Sequence, residues 1–215
     1  MSLIAYWKLD DDSNTNFVDQ VSGGVSIGTG VTGNQPGIGD GLTSVYFAAP
    51  SNHNINIYSV MNASGFDPDE GSAVLWFKPD SGFWLASTYR FFLNISSTAT
   101  SPTERIWLQK GYTQPRLSWV RQPNGAINWD SPELTSWQII GYSWSIANSR
   151  IRTYWNGVAG STFGTVTAWI NPLDSTLCWI GAQSSTLNEM LGWIAHVAIW
   201  DHELTPREMW RLSQV

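Results

Sequence analysis

The chain has 215 residues, 11 Lys+Arg against 17 Asp+Glu (formal net charge -6), 14 Trp and 1 Cys. Charged residues are 13% of the chain, roughly half the usual ~25%; with so many aromatics this excludes a disordered chain. The acidic balance without any Lys/Arg run excludes a nucleic-acid footprint, and one Cys excludes an internal disulfide and a Cys/His zinc cluster.

In chain order, Ile4–Leu9 reads as the first strand. No basic region followed by an apolar stretch precedes it, so no secretory signal is expected. No segment approaches the ~20 apolar residues of a spanning helix, so no membrane insertion is expected. Residues 22–41 hold Gly23, Gly24, Gly28, Gly30, Gly33, Gly37, Gly39 and Gly41 without a phosphate-loop pattern, and are expected to be a long irregular connection. Further strand-like runs follow at Thr43–Ala48, Ser72–Lys78, Phe83–Ile95, Arg105–Gln109 and Arg116–Arg121, and then at Trp137–Ser145, Arg150–Trp155, Thr162–Trp169, Thr176–Ile180 and Leu191–Trp200. Turn chemistry separates them at residues 79–82, at Pro123-Asn124-Gly125 and at Asn156-Gly157. Asn-Gly tolerates φ > 0 at both central residues and favours a tight hairpin. In Arg150–Trp155, Ile151 and Trp155 share one face with the arginines opposite, the pattern of a half-buried strand. Ser72–Lys78 is apolar on both faces, with Ala73, Leu75 and Phe77 against Val74 and Trp76, which predicts a strand covered on each side. The last element is a helix: Thr205 as N-cap, Pro206 at the first helical position and Glu208 three residues after the cap form a capping box. Short strands with regular turns predict an all-β, two-sheet antiparallel sandwich carrying one short C-terminal helix. A sandwich of ~200–250 residues is one unit, so residues 1–215 are expected to form a single domain.

These segments together resemble the laminin-G-like jelly-roll branch of the concanavalin A-like lectin/glucanase superfamily. The resemblance rests on Leu3-Ile4-Ala5-Tyr6-Trp7-Lys8-Leu9-Asp10-Asp11 with Asp19-x-x-Ser22-Gly23, on Gly39-x-Gly41 leading to Tyr46-Phe47, and on Ser72-Ala73-Val74-Leu75-Trp76-Phe77-Lys78-Pro79. It continues through Trp137–Ile140, Ile151–Gly157, Ile180-Gly181, Leu191–Ile194 and Val197–Glu208, from residue 3 to about residue 213. Its implication is a jelly roll, and because Trp is a large apolar side chain that fills a sandwich core, most of Trp7, Trp76, Trp137, Trp155, Trp193 and Trp200 are expected in that core. It does not specify a function, because the fold hosts many.

Three chemistries are expected or excluded. Glucanases of the superfamily carry a Glu-x-Asp strand that holds two carboxylates ~5–5.5 Å apart. No such strand exists here, since Asp67-Pro68-Asp69-Glu70 and Asp130-Ser131-Pro132-Glu133 are Pro-containing turns. His53, His196 and His202 lie in no nucleophile motif, so the chain is expected not to be an enzyme. No cofactor is expected. Calcium is the alternative, through the oxygen cluster Asp10, Asp11, Asp12 and Asp19, although Ala195-His196 stand where family members carry an acidic pair. Contact with a ligand or partner is expected from Trp107, Trp119 and Trp129 with Arg105, Arg116, Arg121 and Asn128, and from Trp84 and Tyr89. Flat aromatic faces stack on sugar rings, and Trp, Tyr and Arg anchor interfaces. The leading expectation is a non-enzymatic phage virion accessory protein, such as a capsid decoration, head-fibre or tail-associated protein. It would sit on the virion surface, associate with itself or with capsid or tail proteins, and adhere to glycans. The alternative is an extracellular carbohydrate-binding module from a secreted multidomain protein.

Overall fold

The computed structural model describes residues 2–48, 52–98, 104–112, 116–122, 126–130, 134–164, 166 and 168–214. Two antiparallel sheets face one another. The first runs β14 (Val158–Phe163), β13 (Arg150–Trp155), β12 (Gln138–Ser145), β7 (Glu70–Pro79), β16 (Leu191–Trp200), β5 (Thr43–Ala48) and β4 (Thr32–Pro36), and β1 (Leu3–Trp7) also pairs with β16. The second runs β11 (Ala126–Asp130), β10 (Arg116–Gln122), β9 (Arg105–Lys110), β8 (Arg90–Ser97), β15 (Leu173–Ile180), β6 (Asn54–Asn56), β3 (Val25–Thr29) and β2 (Asn16–Val18).

Alternation explains the layers. On β7, Ala73, Leu75 and Phe77 join the core between the sheets, while Val74 and Trp76 point the other way, to a smaller outer cluster. The capping box predicted at Thr205 is formed: its hydroxyl accepts from the Glu208 N–H, and Glu208 accepts from the Thr205 N–H. The resulting helix α2 (Pro206–Leu212) lies on the outer face of the first sheet, where Met209 and Leu204 pack with Val74, Ile139 and Tyr154. The approach to α2 is pinned at two points. Arg150 pairs with Glu203, and the buried Ser72 hydroxyl donates to the His202 carbonyl and accepts from the Leu204 N–H, 2.8 Å each.

The Asn156-Gly157 turn closes the β13–β14 hairpin with positive φ at both residues, 47° and 76°. The Pro123-Asn124-Gly125 turn lies outside the described residues, although β10 and β11 on either side pair antiparallel. Two expectations are corrected. The glycine-rich stretch is not wholly irregular: β3 and β4 lie within it and pair with β6 and β5. A second helix, α1 (Tyr58–Ala63), also forms. It has one turn and a half and no side-chain cap, so it leaves no periodic signal; burial of Val60 and Met61 holds it.

Candidate functional site

The predicted contact residues separate in the structure. Trp119 is 1% exposed and Trp84 6%, both inside the main core. The Trp84 indole N–H donates inward to the Leu134 carbonyl at 2.9 Å. Neither ring has a face open to a ligand, because β10 turns Leu117 and Trp119 toward the opposite sheet. Trp107, two residues after Arg105 on β9, points outward. The Arg105 guanidinium stacks over its ring at 3.8 Å, Phe91 meets its edge at 4.9 Å, and its N–H donates to Ser96 at 3.2 Å. Arg116 is half-buried and Asn128 exposed on the same outer face, where Asn128 accepts from Ser118 at 2.7 Å. Tyr89 is exposed and pairs with Tyr112 at 5.6 Å. The side chains of Arg121 and Trp129 lie outside the described residues.

Of the four carboxylates expected to hold calcium, Asp19 is already engaged by the protein. Asp19 is fully buried, and both its oxygens are used by the N–H groups of Tyr6, Val21 and Ser22 and by the Ser22 hydroxyl. It organises the turn after β1. Asp11 is pushed up from its usual range, first by burial and then by Asp10 and Asp12, against a hydrogen bond from the Val18 N–H. Among the described residues, no three His, Cys, Asp or Glu side chains are grouped to hold a metal.

A different set of aromatics comes together on the outer face of the first sheet. Trp76, Trp193, Trp200, Tyr6 and Tyr46 are all half-buried there. Of the six tryptophans, most of them expected in the core, only Trp7 and Trp155 are there; Trp76, Trp137, Trp193 and Trp200 are only partly covered. Trp193 packs tilted against Tyr46, ring centres 4.8 Å apart, with the Lys78 ammonium 4.9 Å from its ring, and Tyr46 donates to Asp80 at 3.0 Å. Beside this pair is a cup of about 240 Å³ with walls of Leu3, Trp76, Ala198, Trp200 and Leu212. Trp200 divides it from a more open cleft of about 490 Å³ that reaches His202, Glu208 and Arg211.

The floor of the cup is a hydrogen-bonded chain. Tyr6 Oη lies 2.9 Å from His196 Nδ1, and His196 Nε2 lies 2.9 Å from Asp40 Oδ2. His196 is 5% exposed, packed beside Tyr6 and against the edge of Trp76 at 5.5 Å. Burial pushes the Tyr6 hydroxyl above its usual range, and Asp40 and Asp10 add to the rise. Two irregularities build this floor. A register shift in β16 between Ile194 and Val197 turns His196 outward while both flanking residues stay in the core. Another in β1 between Leu3 and Ala5 lets Leu3 and Tyr6 line the same cup. Bulges of this kind re-aim side chains, and no sequence pattern announces them.

The fold is a lectin-type jelly roll. The Laminin G 3 family model, of the concanavalin A-like lectin/glucanases superfamily, matches residues 46–209, and the chain belongs to that family. Solved structures share the fold. A Trypanosoma rangeli sialidase superposes with TM-score 0.72 at 10% identity, covering 98% of this chain and 32% of that one. The botulinum neurotoxin serotype D binding domain gives 0.69 at 15%, covering 99% and 51%. Domain 4 of AbnA, an extracellular GH43 arabinanase of Geobacillus stearothermophilus solved with arabinotriose, gives 0.62 at 19%, covering 99% and 98%. This chain therefore spans about a third of the sialidase chain and about half of the toxin chain. No curated protein matches it.

Proposed function

We propose that the chain is a single-domain, non-enzymatic glycan-binding module and that the outer face of the first sheet is its sugar-binding surface. The observation that carries this is the cup lined by the half-buried aromatics Trp76, Trp200 and Tyr6 with polar groups on its floor, on the sheet face that also carries Trp193 and Tyr46. Indole faces bind the C–H-rich faces of sugar rings, and convergent polar groups orient them. The arabinanase domain that matches along nearly its whole length was solved with arabinotriose, which supports the same reading. Arg105, Trp107, Arg116 and Asn128 on the second sheet are proposed as a secondary contact face.

The test is a glycan array followed by calorimetry on the full chain. Wild type is expected to bind oligosaccharide, and Trp76→Ala and Trp200→Ala are each expected to weaken binding about tenfold or more, the equivalent of about 1.4 kcal/mol. No sugar product should appear on long incubation. An array without a hit, or variants that bind like wild type, overturns the assignment of the site.

A second reading places this binding on a phage virion surface. Val25 and Ile27, 44% and 53% exposed on the same side of β3 near the sheet edge, favour docking on another protein. Apolar side chains exposed together mark contact surfaces more often than single ones do.

A further inference from the structure

The floor of the cup fixes which hydrogen-bonding groups a ligand must bring. A carboxylate only accepts, so His196 Nε2 carries the proton that faces Asp40. In the neutral imidazole Nδ1 is then a lone pair, and it accepts the Tyr6 hydroxyl. Both imidazole nitrogens are thereby used. The Tyr6 hydroxyl has spent its one proton inward and keeps a lone pair for the cup. Asp40 gives one oxygen to His196; its side chain is 17% exposed and lines the cup. The two polar groups left to a ligand are therefore both acceptors. They sit on either side of the His196 imidazole. Among the described residues lining the cup there is no Lys or Arg. Its volume of about 240 Å³ is below the ~300–1,000 Å³ of clefts that take larger ligands, and suits one ring.

Building on the glycan-binding reading, we infer that the cup takes one uncharged, hydroxyl-bearing sugar ring between Trp76 and Trp200 and rejects acidic sugars. A ring hydroxyl donates to Tyr6 Oη and another to Asp40. A uronate or sialate carboxylate in the same place meets two acceptors and a like charge, and its desolvation goes uncompensated. Rejection of this kind is a difference in affinity built from unfavourable contacts as much as from favourable ones.

The experiment compares the full chain's binding of neutral oligosaccharides with that of the same backbones carrying glucuronic or sialic acid, at fixed salt. Wild type is expected to bind the neutral members at least about tenfold more tightly. Asp40→Asn keeps an acceptor for His196 Nε2 and adds a donor on the cup side, so that ratio should fall toward one. Tyr6→Phe removes one acceptor and should weaken neutral binding while the acidic members stay weak. Thermal unfolding of each variant checks that it is folded, and the Tyr6→Phe arm stands if Asp40→Asn is not. Equal binding of neutral and acidic glycans by wild type, or an unchanged ratio in folded Asp40→Asn, overturns the inference and leaves the glycan-binding reading intact. Absence of binding to every member overturns both.

Discussion

The tryptophans show what a single residue's position decides. Four buried indoles sit where the N–H finds a partner: Trp7 on Ser26, Trp84 on the Leu134 carbonyl, Trp144 on the Pro68 carbonyl and Trp155 on Gln138. An unpaired buried N–H would cost about 1–3 kcal/mol, so these polar partners are part of the core. Trp76 and Trp200 instead lean on the α2 side of the sheet with one flank open. Alternation along Ser72–Lys78 already separates Trp76 from Leu75 and Phe77, yet it cannot say which set faces the other sheet. Cys178 is the opposite case: its place in Leu177-Cys178-Trp179-Ile180 reads directly as a small buried apolar group. Burial pushes its thiol from 9.0 up to about 12. The native state thus holds that proton more tightly than the unfolded chain does. The thiol's contribution to stability is complete below about pH 9 and is lost as pH rises through about 12. At pH 8 a disulfide reagent is expected to leave native Cys178 untouched and to titrate one thiol after guanidinium unfolding; rapid reaction of the folded chain would contradict the burial.

Elements decide the shape of the site. The capping box makes α2 predictable from four residues, because the chemistry is local: a hydroxyl, a proline and a glutamate at fixed spacing. What α2 covers is not local. It hides Val74, Ile139 and Tyr154 and stops at Leu212, which becomes a wall of the cup. Thr205→Ala removes the cap and is expected to cost about 1 kcal/mol, a fall in Tm of about 2–4 °C for a chain of this size. It should also weaken glycan binding by loosening that wall; calorimetric scans with and without ligand check both. A variant with unchanged Tm would show that the cap does not hold the helix. The bulges in β1 and β16 are the elements that sequence hides best. Each inserts one residue against a partner strand, and the insertion is defined only by the pairing.

For the whole molecule, two sheets of eight strands each give one core and two outer faces. One face carries the aromatic cup beside α2, the other the stacked Arg105–Trp107 pair among amides and hydroxyls. No helix among the described residues is long and apolar enough to cross a membrane. The virion reading expects self-association or docking through exposed apolar side chains such as Val25 and Ile27. Light scattering coupled to size-exclusion chromatography, across a range of concentrations, reads this directly. A clean monomer that binds glycan with micromolar affinity removes the virion reading and leaves the module reading standing.

The sequence by itself determined the class of fold, the closing helix and the Asn156-Gly157 hairpin. All three rest on period-two alternation, turn chemistry and caps, which act over a few residues. It also brought the family within reach, because the order of weak segments survives where single residues do not. The tertiary structure alone decided which tryptophans are core and which are surface, and that Tyr6, Asp40 and His196, up to 190 residues apart, make one floor. Face assignment depends on which sheet a strand joins, and the cup depends on two bulges and a docked helix. These are properties of long-range pairing, which no local pattern of residues encodes.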